Sequence, residues 1–367
     1  MRRLFLIFLL LTGFVFAQTV GDAVRLSMPG FGSGARAMGM GNAFVAMSDD
    51  GLGMAYNPAG IALMRRFELG GGFKYGVNSN NTTFLGNQFN SESSRADLDN
   101  FTLVFPIPTL RGSLVVGTSY TSHLDFTGKF DFKGFNGGNS SMIQDLNSYS
   151  DIPYELYLTD DKYVTKINGK LDQSGSRTQT GSAGVWNFSG AYEAYKNFFL
   201  GATIAVGGGS YQNNFTIQEN DVNGTYSGSE LAPGYPFTTT FKKFDYKTVL
   251  DWDIRYYEIK IGMLYQVQNI ARVGMTVELP KSYTIKEKYQ VEASSTWGTG
   301  RVVELDPANY RSDVEYEIKT PFKFTGGVAF NVRGLIISAQ GTFVDYTNSS
   351  FKDISGLGNV FTSDLNR

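Results

Sequence analysis

Nine segments of this chain alternate apolar and polar residues with a period of two, while no apolar run approaches the ~20 residues of a membrane-spanning helix. Such alternation marks strands with unlike surroundings on their two faces. In the sixth segment Tyr257, Ile259, Ile261, Met263 and Tyr265 share one face, and Glu258, Lys260, Gly262 and Gln266 the other. The first places Phe67, Leu69, Phe73 and Tyr75 against Glu68 and Lys74, and the ninth runs Leu335, Ile337, Ala339, Gly341 and Phe343.

A soluble meander would alternate too, with the apolar face as its core. Three features instead predict a transmembrane antiparallel β-barrel. Short turns, near Pro108 to Gly112, Lys196-Asn197, Gln268 to Ala271 and Asn331 to Gly334, alternate with long polar stretches at 127–181, 218–246 and 294–312, as periplasmic turns alternate with extracellular loops. The polar face carries Glu68, Lys74, Glu193, Glu258, Lys260, Arg272, Glu278 and Lys323, which suits a polar lumen. Tyr257 and Tyr265 stand eight residues apart, roughly 20 Å of height at ~3.3 Å per residue and ~40° tilt, close to an apolar band bounded by aromatic girdles. Charged residues make up only 18% of the chain, below the roughly 25% of a soluble domain.

Arg2 and Arg3, the apolar run Leu4 to Leu11 and Val15-Phe16-Ala17 read as a signal peptide over residues 1–17, leaving Gln18 first. The expected address is the outer membrane of a Gram-negative cell. Nine strands are odd where single-chain bacterial barrels are even, and no apolar strand with an aromatic end precedes Arg367. The barrel over residues 65–367 is therefore expected to be truncated at its C-terminus.

Between the leader and the first strand lies a segment of another character. Residues 18–64 are expected to form a plug, centred on the Gly-, Ala- and Met-rich stretch Gly32 to Met64. Ala35 to Phe44 suits a short close-packed helix, Ser48-Asp49-Asp50 offers acceptors for a turn, and Asn57 is an N-cap with Pro58 at the first position of a helix reaching Met64.

Gly34-Ala-Arg-Ala-Met-Gly-Met-Gly-Asn-Ala-Phe-Val-Ala-Met-Ser-Asp-Asp, continued by Ala55-Tyr56-Asn57-Pro58-Ala59-Gly60, resembles the N-terminal hatch of the FadL/TodX family of outer-membrane transporters of long-chain fatty acids and other hydrophobic compounds. The resemblance implies a monomeric 14-stranded barrel closed by the hatch, of which about nine strands are present. It implies passive uptake of hydrophobic small molecules, with sideways exit into outer-membrane lipid. It places Asn57, Pro58 and Ala59 near the ligand, with Phe44, Val45, Met47 and Ile61 as apolar neighbours. As a structural element, Asn57-Pro58 is equally a helix cap. PorV/PorQ-like components of type IX secretion look similar in the same opening, so a barrel that docks secreted proteins is the alternative. The sequence leaves the wall opening unlocated; Gly117 could accommodate a kink or simply close packing.

Other chemistries find little support. The chain has no Cys, hence no disulfide framework or thiolate metal site, and no cofactor is expected. A net charge of -2 gives no footprint for nucleic acid. The glycine clusters 30–34 and 207–209 lack dinucleotide-binding spacing. Asp97-Leu98-Asp99-Asn100 lacks the glycine and glutamate of a calcium loop and reads as a solvated loop end. His123 is the only histidine, beside Ser122 and Asp125; strand neighbours point to opposite faces, so no hydrolase is expected and His123 reads as a residue of the outer rim.

Overall fold

The structure is a computed structural model and describes residues 32–356 apart from 229 and 269, together with Leu26 and Gly30. The proposed leader and the residues around Phe361 to Arg367 lie outside the described residues.

Fourteen strands form one antiparallel sheet: β1 (Glu68–Phe84), β2 (Asn87–Ile107), β3 (Leu114–Asp125), β4 (Gly128–Asn136), β5 (Leu171–Tyr195), β6 (Phe198–Asn220), β7 (Phe241–Val267), β8 (Ala271–Glu278), β9 (Ser282–Trp297), β10 (Val302–Glu304), β11 (Arg311–Lys319), β12 (Lys323–Val332), β13 (Leu335–Val344) and β14 (Ser350–Ser355). They amount to nine wall strands, because several are halves of one interrupted strand. β3 and β4 both lie along β5, β8 and β9 both along β7, and β12 and β11 along β8 and β9. β13 and β14 complete the series. The path β1-β2-β3-β5-β6-β7-β8-β12-β13 follows the nine alternating segments in sequence order. Among the described residues, β1 and β13 each pair with one neighbour.

The loops are shorter than the sequence predicts. β1 and β2 join through a two-residue turn at Leu85 and Gly86, with φ of 48° and 82°, the paired positive values of a tight hairpin. Short turns and long loops therefore do not alternate strictly. Of the polar stretch 127–181, residues 128–136 are β4 and 171–181 belong to β5; between them lie only two short helices, α3 (Met142–Asn147) and α4 (Ile152–Glu155).

The reason is a reversal of polarity within single strands. β7 runs 27 residues, far beyond the ~9–11 that cross a bilayer. Along its first half Phe244, Tyr246, Leu250, Trp252, Ile254 and Tyr256 are buried inside while Asp251, Asp253 and Arg255 face outward. From Tyr257 onward the roles exchange without a break in register: Tyr257, Ile259, Ile261 and Tyr265 are exposed outside, and Glu258 and Lys260 are buried inside.

This exposed apolar belt continues around the wall through Leu69, Phe73, Phe105, Val116, Phe188, Ile204, Met275, Phe324, Phe330 and Ile337. Water-facing sheets bury such residues; a belt of them on the outer surface belongs in hydrocarbon. Inside the belt sits the segment ending at Met64. Its elements are α1 (Ala35–Gly39), α2 (Gly53–Tyr56) and a 3-10 turn, Pro58–Leu63. Met54, Ala59, Ile61 and Ala62 pack against Val104, Val115, Ala191, Phe199 and Leu264 of the wall, and Phe44, Ala46 and Met47 against Ala329. The helix expected over Ala35 to Phe44 stops at Gly39, where Gly41 and Asn42 turn the chain with positive φ.

Candidate functional site

The plug is seated on glycines. Gly201 of β6 is opposite Gly262 of β7, and Gly274 of β8 opposite Gly327 of β12. A Cβ on Gly201 would lie 2.5 Å from the Pro58 carbonyl carbon, one on Gly262 2.9 Å from Pro58 Cδ, and one on Gly327 2.5 Å from Val45 Cγ1. No real side chain tolerates that approach, so the wall is bare of side chains at these positions. Gly117 is similarly placed: a Cβ on it would lie 3.0 Å from Met54 Sδ.

Asn57 is the joint, fully buried. Its Oδ1 accepts from Ala59 N at 3.1 Å, capping the 3-10 turn, and its Nδ2 donates to Val45 O at 2.8 Å and Met263 O at 3.0 Å. The cap expected from Asn57-Pro58 is thus formed, and the same side chain ties the plug to the wall. Ser48 Oγ donates to Asn57 O at 3.1 Å. Farther along, Phe44 N and Val45 N both donate to Gln340 Oε1 of β13, at 3.1 and 3.0 Å.

Ion pairs complete the seat. Asp49 lies 2.6 Å from Arg272 of β8 and 2.7 Å from Arg36 of α1, while Asp50 accepts from Arg36 at 3.1 Å and caps Leu52 N at 3.0 Å. Burial alone would raise the Asp49 pKa, but the two guanidiniums outweigh it and hold it below the usual carboxylate value. For Asp50 burial prevails over Arg36 and the pKa is raised. Asp99 is no loop end: it is buried in β2 and accepts from Gly34 N at 2.7 Å.

Above the plug is a cavity of roughly 210 Å³, bordered by Val45, Tyr56, Ser122, His123, Glu258, Lys260, Glu278, Lys281, Lys323 and Gln340 among others. Its floor is charged. Lys281 Nζ is 2.7 Å from Glu258 Oε2, Lys323 Nζ 2.8 Å from Glu278 Oε2, and Lys260 Nζ within 3.4 Å of both glutamates while donating to Ala55 O of α2. All but Lys281 lie on the polar face read from the sequence. Lys281 follows Pro280 in the interruption between β8 and β9, where alternation fails and no sequence signal marks it.

His123 stands in this lumen rather than at a rim. The register of β3 slips between Ser122 and Leu124, and this bulge brings Ser122 and His123 to the same cavity, against the alternation expected of strand neighbours. No catalytic triad results: Ser122 Oγ accepts from Lys74 Nζ at 2.9 Å, Asp125 accepts from Thr127 N, and His123 Nε2 has no hydrogen-bond partner among the described residues. No group of metal-ligating side chains occurs among the described residues.

Of the seven residues expected near a ligand, Val45 borders the cavity. Phe44, Met47, Asn57, Pro58, Ala59 and Ile61 are buried between plug and wall. Higher still, the interior is filled by a largely apolar cluster: Trp252, Ile254, Tyr256, Tyr283, Ile285, Tyr316 and Ile318 pack there with Leu26, whose carbonyl accepts from Tyr283 Oη at 3.1 Å, and a carboxylate bonded among them, Glu287, accepts from Trp252 Nε1 at 2.8 Å and Tyr316 Oη at 3.0 Å.

No family model and no curated protein matches the chain. Among solved structures it is similar to the toluene transporter TodX of Pseudomonas putida, with 13% identity and a TM-score of 0.41 over 83% of this chain and 69% of that one. The CymD monoaromatic hydrocarbon channel gives 13% and 0.47 over 89% and 74%, and the toluene transporter TbuX of Ralstonia pickettii 17% and 0.40 over 90% and 77%. Likenesses this distant carry no weight for substrate or mechanism. These three are proteins of the FadL type, the group that the residues Gly34 to Gly60 of this chain resemble.

Proposed function

We propose that this chain forms the wall and hatch of an outer-membrane barrel that admits hydrophobic compounds, long-chain fatty acids or hydrocarbons among them, by passive diffusion. One observation carries the reading: on the long-loop side of the exposed belt the inward-facing side chains Trp252, Ile254, Tyr256, Tyr283, Ile285, Tyr316 and Ile318 form a packed, largely apolar cluster inside the wall. A pore for water-soluble molecules has no use for such a cluster. An apolar solute gains ~0.8 kcal/mol for each CH2 it buries there, enough for capture without an energy source.

The hatch over residues 18–64 is the gate in this reading. Its glycine seat, its ion pairs and the Asn57 joint are contacts that reform without unfolding of the wall. Phe44, Val45, Met47, Asn57, Pro58, Ala59 and Ile61 are the hatch residues a solute meets when the seat loosens, and the solute leaves sideways into membrane lipid. No part of this requires a cofactor or a reaction.

The test is mass spectrometry of molecules that copurify with the full-length protein in mild detergent, with Asn57→Ala and Pro58→Ala as controls. Apolar molecules retained by the wild type and reduced in the controls support the reading. Copurification of secreted proteins, with no apolar ligand in excess over an unrelated barrel, overturns it in favour of a PorV-like docking role.

A further inference from the structure

The luminal cavity above the plug holds a charge that its own residues do not balance. Three ammonium groups, Lys260, Lys281 and Lys323, border it with two carboxylates, Glu258 and Glu278, and no other acidic side chain among the described residues lines the space. None of the five side chains is more than 16% exposed. An unmatched charge out of water is costly. Every one of the three lysines has a carboxylate partner: Lys281 lies 2.7 Å from Glu258, Lys323 2.8 Å from Glu278, and Lys260 within 3.4 Å of both. The excess of one positive charge therefore belongs to the cluster and not to one stray lysine.

Donors are left over at the same place. An ammonium has three protons to give, and Lys281 and Lys323 each have one carboxylate oxygen within 3 Å. Both approach the same atom, Glu278 Oε2, at 3.7 and 2.8 Å, so the two ammonium groups stand side by side. His123 Nε2, buried and with no hydrogen-bond partner among the described residues, belongs to a side chain that borders the same cavity. Thr121, Ser122, Thr276, Thr325 and Gln340 add hydroxyl and amide groups, while the aliphatic lining is confined to Val45, Ala55 and Val185. That is too little to shelter an acyl chain. The volume of roughly 210 Å³ is several times the ~30 Å³ share of one water, room for a small anion with part of its hydration shell.

We infer that this cavity is a binding site for one small monovalent anion of the halide kind, held by Lys281 and Lys323, and that the bound anion helps to seat the plug. The valence follows from the charge: one negative charge matches the excess, whereas a dianion overshoots it beside two carboxylates. The link to the plug runs through two residues of the lining. Lys260 donates to Ala55 O of α2, and Gln340 Oε1 accepts from Phe44 N and Val45 N. Matching the excess charge relieves the repulsion among the three lysines and leaves Lys260 free to keep its bond to the plug. The anion is not the apolar solute of the uptake reading, and the site stands or falls without it.

Two measurements on the full-length protein test the site. Crystals grown in sodium bromide and measured at the bromine absorption edge should show an anomalous peak in the cavity beside Lys281 and Lys323. In detergent, amides of residues 44–64 should exchange with deuterium more slowly in sodium chloride than in sodium gluconate of equal ionic strength, by ~tenfold at a chloride concentration about ten times its Kd. Those of β4, far from the cavity, should not respond. Lys323→Met leaves two ammonium groups against two carboxylates and should lose both the peak and the chloride response; Lys323→Arg keeps the charge and should retain them. A cavity without bromide, equal exchange of residues 44–64 in the two salts, or a chloride response that survives in Lys323→Met overturns the site. Should Lys323→Met fail to fold, the bromide peak and the comparison of salts in the wild type still decide.

Discussion

The side chain of Asn57 donates to the carbonyl of Met263 at 3.0 Å, a bond that spans 206 residues of sequence and fixes the plug at one point of the wall. It exists because Gly262, the preceding residue of β7, leaves the space that Asn57 and Pro58 occupy.

Replacing Asn57 by Ala removes the acceptor that Ala59 N has in the 3-10 turn, and with it the donations to Val45 O and Met263 O. Leaving buried polar groups unpaired costs roughly 1–3 kcal/mol. Amides of residues 44–64 should exchange faster with deuterium in Asn57→Ala, while those of β5, β6 and β7 keep their protection. Equal acceleration in the wall would show that the bond does not hold the plug in particular.

Gly262→Val places two methyl groups where Pro58 sits, and neither partner has room to yield. The wall keeps its hydrogen bonds, so the plug should be displaced while the sheet persists. Reconstituted Gly262→Val should show higher basal conductance in planar bilayers than the wild type; unchanged conductance counts against the glycine seat.

The belt predicts a contrast along one strand. Ile261 and Asp253 both face outward on β7 and both are exposed, on opposite sides of the polarity reversal. Ile261→Arg should destabilise the bilayer-inserted protein by roughly 2–4 kcal/mol, the cost of a cation at lipid-facing depth. Asp253→Arg, in water, should stay within ~0.5 kcal/mol of the wild type. Denaturant titration in lipid vesicles measures both.

Acid should loosen the plug. The Asp49 pKa is lowered in the folded chain, because Arg272 and Arg36 together outweigh the effect of burial. Its contribution to stability is therefore complete above the unfolded value of about 3.9 and is lost as the pH falls through the folded value. Asp50, raised by burial, acts with the opposite sign: its ionised form is the disfavoured one, so acid relieves it. Hydrogen exchange of residues 44–64 should rise in the wild type as the pH drops below about 4, and Asp49→Asn should flatten that dependence. A variant with the same acid profile as the wild type would remove Asp49 from the account.

What was legible in the sequence follows from local geometry. Residues two apart on a strand share a face whatever surrounds them, so the nine segments, their outward sets such as Tyr257 to Tyr265, and the polar set containing Glu258, Lys260, Glu278 and Lys323 were present in the order of residues. Asn57-Pro58 was likewise legible, since a cap and the first residue of its turn are neighbours in the chain. The polar stretches at 127–181 and 218–246 misled because alternation continues there with its faces exchanged. Periodicity gives the two faces of a strand and not which of them points inward; that depends on whether water or hydrocarbon lies outside at that height.

The remainder was decided by residues far apart in sequence meeting in space. The bulge that turns His123 into the lumen is a mismatch between β3 and β5, invisible in either alone. The charged floor joins β7, the break after β8, and β12, and exists only once register is set. Pairing across strands fixes height, and height is what the sequence of any one strand does not carry.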